Sequence, residues 1–149
     1  MNYELLRKQL LAITTGVKDE ISNLSNISAL LNESLQDINW VGFYIAKNGE
    51  LVLGPFQGSV ACTVIKHGLG VCGTCYKEDK TILVENVHEF PTHIACDSRS
   101  NSEIVLPLHK NGEFYGVLDI DSPLLARFTE DDKIGLERIA SAIEEILNK

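Results

Sequence analysis

The residues of this chain most able to do chemistry are its four cysteines, Cys62, Cys72, Cys75 and Cys96. Cys96 stands in a polar segment that ends at Glu103, directly before the apolar run Ile104–Leu108. A cysteine supplies a soft nucleophile, and a second cysteine attacks the adduct that the first one forms. The segment therefore indicates thiol chemistry beside a carboxylate.

Cys72 and Cys75 form a C-x-x-C motif, a spacing found in thioredoxin-like redox pairs and in halves of zinc sites. The sequence has no second such motif, and its histidines fall at no standard zinc spacing, so we predict no metal site. The loop before Cys72 is expected to enter a helix, whose positive N-terminal end favours a thiolate. We assign no role to Cys75, although a competing disulfide with Cys72 is an alternative.

Strand alternation predicts that carboxylates and aromatic rings share one face of a sheet. In the predicted strand Trp40–Lys47, Trp40 and Tyr44 point to one side, and the apolar odd-numbered residues point to the other. The predicted strands Glu103–Lys110 and Glu113–Asp121 also have one apolar face each. If these strands are neighbours, their opposite faces form a cup with Trp40, Tyr44, Glu103, Asp119 and Asp121. The alternative is that the carboxylates are solvated on an exposed face.

Each part of this cup has a chemical use. Carboxylates attract and hydrogen-bond an ammonium group. Crowded carboxylates raise one another's pKa, so that one of them stays protonated at neutral pH and acts as an acid. The aromatic rings hold a small apolar group such as a methyl. The loop with Cys96 leads directly into Glu103 and is therefore expected to fold over the cup.

The elements that must position these residues are strands between two helical ends. Residues from about 3 to 35 have helical periodicity that is interrupted at Thr14-Thr15-Gly16, and we interpret them as packing helices, with a homodimer contact as the alternative. Asn48-Gly49 and Asn111-Gly112 each predict a hairpin. Shorter strands are expected at 61–66, which holds Cys62, and at 81–85. The chain ends in an amphipathic helix with Thr129 as its N-cap.

Composition limits the classes of protein that this chain can belong to. Its 149 residues, 44% of them hydrophobic, fit one domain over 1–149. A formal charge of −8 argues against nucleic acid or an anionic membrane as partner. No apolar run approaches the roughly 20 residues that span a bilayer. The N-terminus lacks the pattern of a signal peptide, so we expect a cytoplasmic protein, in which structural disulfides are rare.

Several long motifs follow one another from about residue 39 to the C-terminal helix. They are Asn39-Trp40-Val41-Gly42-Phe43-Tyr44, Leu51-Val52-Leu53-Gly54-Pro55-Phe56-Gln57-Gly58, Gly70-Val71-Cys72-Gly73, His93-Ile94-Ala95-Cys96-Asp97-Ser98, Ser102-Glu103-Ile104-Val105 and Gly116-Val117-Leu118-Asp119-Ile120-Asp121-Ser122-Pro123. Together they are highly specific, and they resemble the motifs of the free methionine-(R)-sulfoxide reductase family.

The resemblance implies an α+β GAF-like fold, with a central antiparallel sheet of about six strands flanked by N- and C-terminal helices. It also implies thiol-dependent reduction of free L-methionine (R)-sulfoxide, with thioredoxin as external reductant and no cofactor. Cys96 matches the nucleophile that becomes a sulfenic acid, and Cys72 and Cys62 match the cysteines that resolve it as disulfides. The five residues of the cup match the substrate pocket. The resemblance leaves open which of Cys96 and Cys72 attacks first.

Two other classes of function fit the same fold. GAF-like domains also serve as small-ligand sensors, and the cysteines could act as a redox switch without turnover. Turnover of methionine sulfoxide distinguishes the enzyme from both alternatives.

Overall fold

The computed structural model describes residues 1–94, 96 and 98–149, and its order of elements confirms the predicted α+β fold. The helices are α1 (Tyr3–Thr14), α2 (Glu20–Ser34), α3 (Gly70–Glu78) and α4 (Glu130–Leu147), with a short 3-10 helix at Val87–Glu89. The strands are β1 (Trp40–Lys47), β2 (Glu50–Gly58), β3 (Val64–Lys66), β4 (Ile82–Val84), β5 (Ser102–Lys110) and β6 (Glu113–Ser122).

The six strands form one antiparallel sheet in the order β3-β2-β1-β6-β5-β4. The two predicted hairpins, β1–β2 and β5–β6, are confirmed, and both turns have positive φ at the asparagine and at the glycine. Such turns match the right-handed twist of the strands that they join. The long strands of both hairpins meet at β1 and β6, in the middle of the sheet.

The two faces of the sheet have different coverings. One face packs on α1, α2 and α4 through buried residues such as Phe43, Leu106 and Ile120. On the other face, α3 contacts β3, β4, β5 and β6, and a second apolar cluster includes Trp40 and Tyr44. Alternation along each strand therefore gives one face to the main core and the other to the candidate site.

The ends of the helices follow their local sequence. Thr129 accepts from the backbone N–H of Asp132, whose side chain accepts from the Thr129 N–H, so the predicted N-cap forms a full capping box. The predicted interruption after Thr14 separates α1 from α2, which begins beyond Asp19 as its N-cap. Among the described helices, none combines the length and the apolar character needed to cross a bilayer.

One predicted strand is wrong in its extent. The segment 61–66 is a strand only from Val64, so Cys62 lies in the connection between β2 and β3. Two contacts draw Cys62 away from the ladder: its carbonyl accepts from the Tyr44 hydroxyl, and its sulfur is bonded to Cys96. These tertiary contacts outweigh the local preference for strand.

Candidate active site

Two neighbouring rows of the sheet bring the residues of the predicted cup together. In one row, Asp121 of β6 lies between Trp40 of β1 and Glu103 of β5. Asp119 lies two residues earlier on β6 and therefore points to the same face. Tyr44, four residues after Trp40, extends this face along β1.

A cavity of about 40 Å³ opens on this face. It is lined by all five residues of the cup and by two of the three predicted catalytic cysteines, Cys72 and Cys96. Cys62 does not line the cavity. The loop with Cys96 thus reaches the cup, as expected from its position directly before β5.

Aromatic stacking builds one wall of the cavity. The Trp40 ring stacks on Phe56 and on Tyr44, with centroid separations of 5.2 Å and 5.9 Å. Its indole N–H donates to the Ser59 carbonyl at 3.2 Å. A Cβ at Gly58 would lie 2.5 Å from the Trp40 ring, so only glycine at this position leaves room for the ring. The wall is therefore apolar and held in place from both sides.

Cys62 and Cys96 are joined by a disulfide, with their Cα atoms 5.5 Å apart. The bond links the β2–β3 connection to the loop before β5. The same two segments are joined a second time, because the Arg99 guanidinium donates to the Ser59 hydroxyl at 2.6 Å. The Tyr44 hydroxyl donates to the Cys62 carbonyl at 2.8 Å, which ties this bridge to the wall of the cavity.

The three carboxyl groups of the cup are close neighbours, and the pKa of each of them is raised. Burial raises the pKa of Glu103, and the charges of Asp119 and Asp121 raise it further. Burial also raises the pKa of Asp119, but hydrogen bonds from Glu103, Asp121 and Cys72 oppose that rise. The surroundings therefore favour ionisation at Asp119 more than at Glu103, because neighbouring donors oppose the rise in pKa at Asp119 and neighbouring charges add to it at Glu103.

Cys72 occupies the floor of the cavity, where its surroundings oppose the thiolate that a helix N-terminus favours. It stands in the first turn of α3, is 4% exposed, and its Sγ lies 4.0 Å from Glu103 Oε2. Burial raises the pKa of the thiol well above its usual range, and the charges of Asp119 and Glu103 raise it further. Desolvation and neighbouring carboxylates outweigh the helix dipole at this position.

Close packing of α3 on the rest of the site fixes where Cys72 lies. A Cβ at Gly73 would meet the Lys66 carbonyl oxygen at 2.4 Å, so the helix approaches the end of β3 as closely as a glycine allows. Cys75 follows on the same helix, is fully buried and is a free thiol like Cys72. Its pKa is also raised, mainly by burial.

Ser100 is a part of the site that the sequence did not reveal. It is 6% exposed, lines the cavity, and its hydroxyl accepts from the Asn39 side-chain amide at 3.1 Å. The same hydroxyl hydrogen-bonds the Asp121 carboxylate and so opposes the effect of burial on the pKa of Asp121. His93 also lines the cavity, and burial lowers its pKa. Both residues lie in the irregular loop before β5, where no periodicity marks them.

Comparisons with known proteins find relatives along nearly the whole chain. A family model described as GAF domain matches residues 19–147. Protein YtsP of Bacillus subtilis is 53% identical over 98% of this chain and 91% of its own length. Free methionine-R-sulfoxide reductase of Escherichia coli is 48% identical over 97% of this chain and 88% of its own length. The reduced form of fRMsr of Staphylococcus aureus superposes with a TM-score of 0.95 at 51% identity, covering 98% of this chain and 95% of that chain.

Proposed function

This chain belongs to the GAF domain family and, within it, to the free methionine-R-sulfoxide reductases, and from that premise we propose that it reduces free L-methionine (R)-sulfoxide to L-methionine. The chain is thus an oxidoreductase. The observation that carries the proposal is the placement of Cys96 at a cavity lined by three carboxyl groups and an aromatic wall.

The carboxyl groups favour a free amino acid over a methionine sulfoxide inside a peptide. A free amino acid carries an ammonium group, which the Asp119 carboxylate binds through a charge-assisted hydrogen bond. A residue inside a peptide has an uncharged amide in that place, whose single N–H gives the buried carboxylate a weaker hydrogen bond and no compensating charge. The substrate methyl group packs against the Trp40 ring.

The chemical step transfers the sulfoxide oxygen to Cys96. The protonated Glu103 carboxyl donates to the sulfoxide oxygen, which makes the substrate sulfur electrophilic. The Cys96 sulfur attacks the substrate sulfur and loses its thiol proton. The oxygen then passes to the Cys96 sulfur as the sulfur–oxygen bond of the substrate breaks, and methionine leaves. The oxygen stays on Cys96 as a sulfenic acid, so the cysteine is oxidised by two electrons and the substrate is reduced by two.

Cys62 resolves the sulfenic acid. Its thiol attacks the Cys96 sulfur, water leaves, and a disulfide forms. The bond between Cys62 and Cys96 in the structure supports this choice over Cys72, which is a buried free thiol. A thioredoxin dithiol then reduces the disulfide through a mixed disulfide and regenerates both thiols. No bound cofactor enters these steps.

The test is NADPH consumption in the presence of thioredoxin, thioredoxin reductase and each diastereomer of free methionine sulfoxide. Turnover of the R form, with little turnover of N-acetylmethionine sulfoxide, is the expected result. If neither free diastereomer is turned over, the chain is a ligand sensor or a redox switch and the proposal is wrong. If Cys96→Ser still releases one equivalent of methionine, Cys96 is not the nucleophile.

A further inference from the structure

Cys72 leaves an unused sulfur on the floor of the cavity, next to two carboxyl groups. Its Sγ and one carboxylate oxygen each from Glu103 and Asp119 lie within 4.8 Å of one another, and all three residues are buried. We propose that, in the disulfide form, this pocket binds one thiophilic divalent cation such as Zn²⁺ or Cd²⁺ through Cys72, Glu103 and Asp119. The reaction described above does not require this ion, and the site does not depend on that reaction.

An unsatisfied oxygen points to a ligand at this place. Asp119 is 5% exposed, and no N–H or hydroxyl among the described residues reaches its Oδ1. The Oδ1 atom of the neighbouring Asp121 is also buried without a hydrogen-bond partner among the described residues. A buried carboxylate oxygen without a partner costs free energy, and a cation removes that cost.

The size of the cavity also favours an ion. About 40 Å³ is available while Cys62 and Cys96 are bonded. A cavity holds a water molecule or an ion from roughly 10–15 Å³ upward, whereas pockets for larger organic ligands measure roughly 300–1,000 Å³. The disulfide form thus has room for a metal ion beside the carboxylates.

The donor atoms select the class of metal. Binding of the metal displaces the proton of the Cys72 thiol and any proton on Glu103 into solvent. The resulting thiolate and carboxylates suit Zn²⁺ and Cd²⁺, whereas Mg²⁺ and Ca²⁺ require an all-oxygen shell. In a tetrahedral zinc site a sulfur and an oxygen ligand lie about 3.5 Å apart. Cys72 Sγ and Glu103 Oε2 are separated by 4.0 Å, so small side-chain rotations bring the two atoms to that spacing.

The three ligands are far apart in the chain, which explains why no zinc spacing reveals them. Cys72 comes from α3, Glu103 from the start of β5 and Asp119 from β6. The C-x-x-C motif contributes one ligand only, because Cys72 lines the cavity and Cys75 does not. Since Asp119 also binds the substrate ammonium in the proposed reaction, the metal and an amino acid would compete.

The site is tested by titrating the oxidised protein, with its Cys62–Cys96 bond intact, with CdCl₂. Neither substrate nor thioredoxin is present, so failure of this test leaves the proposed reaction untouched. Cadmium bound to a thiolate gives an ultraviolet charge-transfer band, and calorimetry gives stoichiometry and affinity. We expect one equivalent to bind with this band. Cys72→Ser should lose the band and weaken binding by about tenfold or more, as expected for loss of the soft ligand.

Cys75→Ser is the matched control, because it removes the neighbouring buried thiol from the same helix. It should keep the band and the affinity. Glu103→Gln should weaken binding while near-ultraviolet circular dichroism and the count of two free thiols show that its fold and disulfide are intact. The proposal is overturned if the oxidised protein gives no band, if the band survives Cys72→Ser, or if Cys75→Ser abolishes it.

Discussion

Glu103 stands directly opposite Asp121 across β5 and β6, so two carboxyl groups are cross-strand neighbours in the centre of the sheet. Like charges in this relationship destabilise a sheet. Protonation of one member relieves this repulsion, and burial together with the charges of Asp119 and Asp121 raises the pKa of Glu103 in that direction. The register of the two strands thus places two carboxyl groups where each favours protonation of the other.

Replacing Glu103 with glutamine should separate activity from stability. The amide still donates a hydrogen bond but transfers no proton, so we expect kcat to fall by about a hundredfold or more. The folded pKa of Glu103 is above its unfolded value near 4.5, so the folded state holds a proton that the unfolded chain loses. Wild-type stability therefore falls as pH rises above about 4.5, towards the folded pKa.

Glutamine has no proton to lose, so the stability of the variant relative to the wild type should increase with pH across that range. Urea unfolding of the reduced proteins at several pH values measures this difference. Glu113→Gln, at the exposed start of β6, is the control and should change neither kcat nor the pH dependence of stability. A constant stability difference at all pH values would show that Glu103 is ionised in the folded protein.

Asp119→Asn should weaken recognition of the substrate ammonium. A hydrogen bond to a charged group contributes about 1.5–3 kcal/mol, so KM for methionine sulfoxide should rise roughly tenfold to a hundredfold. The sulfoxide of the des-amino analogue tests the assignment, because it lacks the ammonium. The wild type should prefer methionine sulfoxide strongly over this analogue, and the variant should treat the two more equally. Unchanged discrimination would place the ammonium elsewhere.

Cys62→Ser should uncouple the chemical step from recycling. Since Cys96 retains its thiol, a single equivalent of methionine should be released at nearly the wild-type rate. Thioredoxin-dependent turnover should fall by at least about tenfold, and dimedone should label a sulfenic acid on Cys96. Cys75→Ser serves as the thiol control and should turn over normally. Full turnover by Cys62→Ser would show that another thiol, such as Cys72, resolves the sulfenic acid.

Ser100→Ala should alter how activity depends on pH. The Ser100 hydroxyl donates to the Asp121 carboxylate and opposes the rise of its pKa, so its loss should raise that pKa further. Because Asp121 titrates together with Glu103 and Asp119, the limb of the pH–kcat/KM profile that reports these carboxyl groups should move to higher pH. The value of kcat/KM at neutral pH should fall about tenfold, as expected for one hydrogen bond. Ser100→Thr should restore the profile. A lower rate with an unshifted profile would mean that Ser100 only stabilises the loop.

The disulfide form should bind L-methionine much more weakly than the reduced form. With Cys62 and Cys96 bonded, the cavity measures about 40 Å³, which is too small for an amino acid. Calorimetry on the two redox forms measures the difference, and Cys62→Ser, which forms no such bond, should bind methionine equally with and without reductant. Equal affinity of both wild-type forms would show that the disulfide leaves the pocket open.

Sequence patterns predict the strands and hairpins of this fold better than its loops. Alternation on β1, β5 and β6 was enough to place Trp40, Glu103 and Asp121 on one face, because side-chain direction in a strand follows from position alone. The Asn-Gly turns fixed both hairpins for a similarly local reason. Neither rule applies to the segment before β5, so no sequence pattern predicts that Ser100 belongs to the site.

The protonation state of Cys72 shows a different limit. Its place in the first turn of α3 was predicted, but the sign of its pKa shift was not. Burial and the surrounding carboxyl groups depend on how α3 packs on β5 and β6, which no local pattern encodes. The same holds for Cys62, whose departure from strand geometry depends on partners at Tyr44 and Cys96.

The side chains of β6 alternate between the main core and the pocket, which restricts where residues can be inserted or deleted. Leu118 and Ile120 face the main core, while Asp119 and Asp121 face the cavity. Inserting or deleting one residue within β6 would exchange these faces, exposing the leucine and isoleucine to the pocket and burying both aspartates in the core. Within the β5–β6 hairpin, indels are therefore expected at the Asn111-Gly112 turn, where one more residue lengthens a loop and leaves the phase of both strands intact.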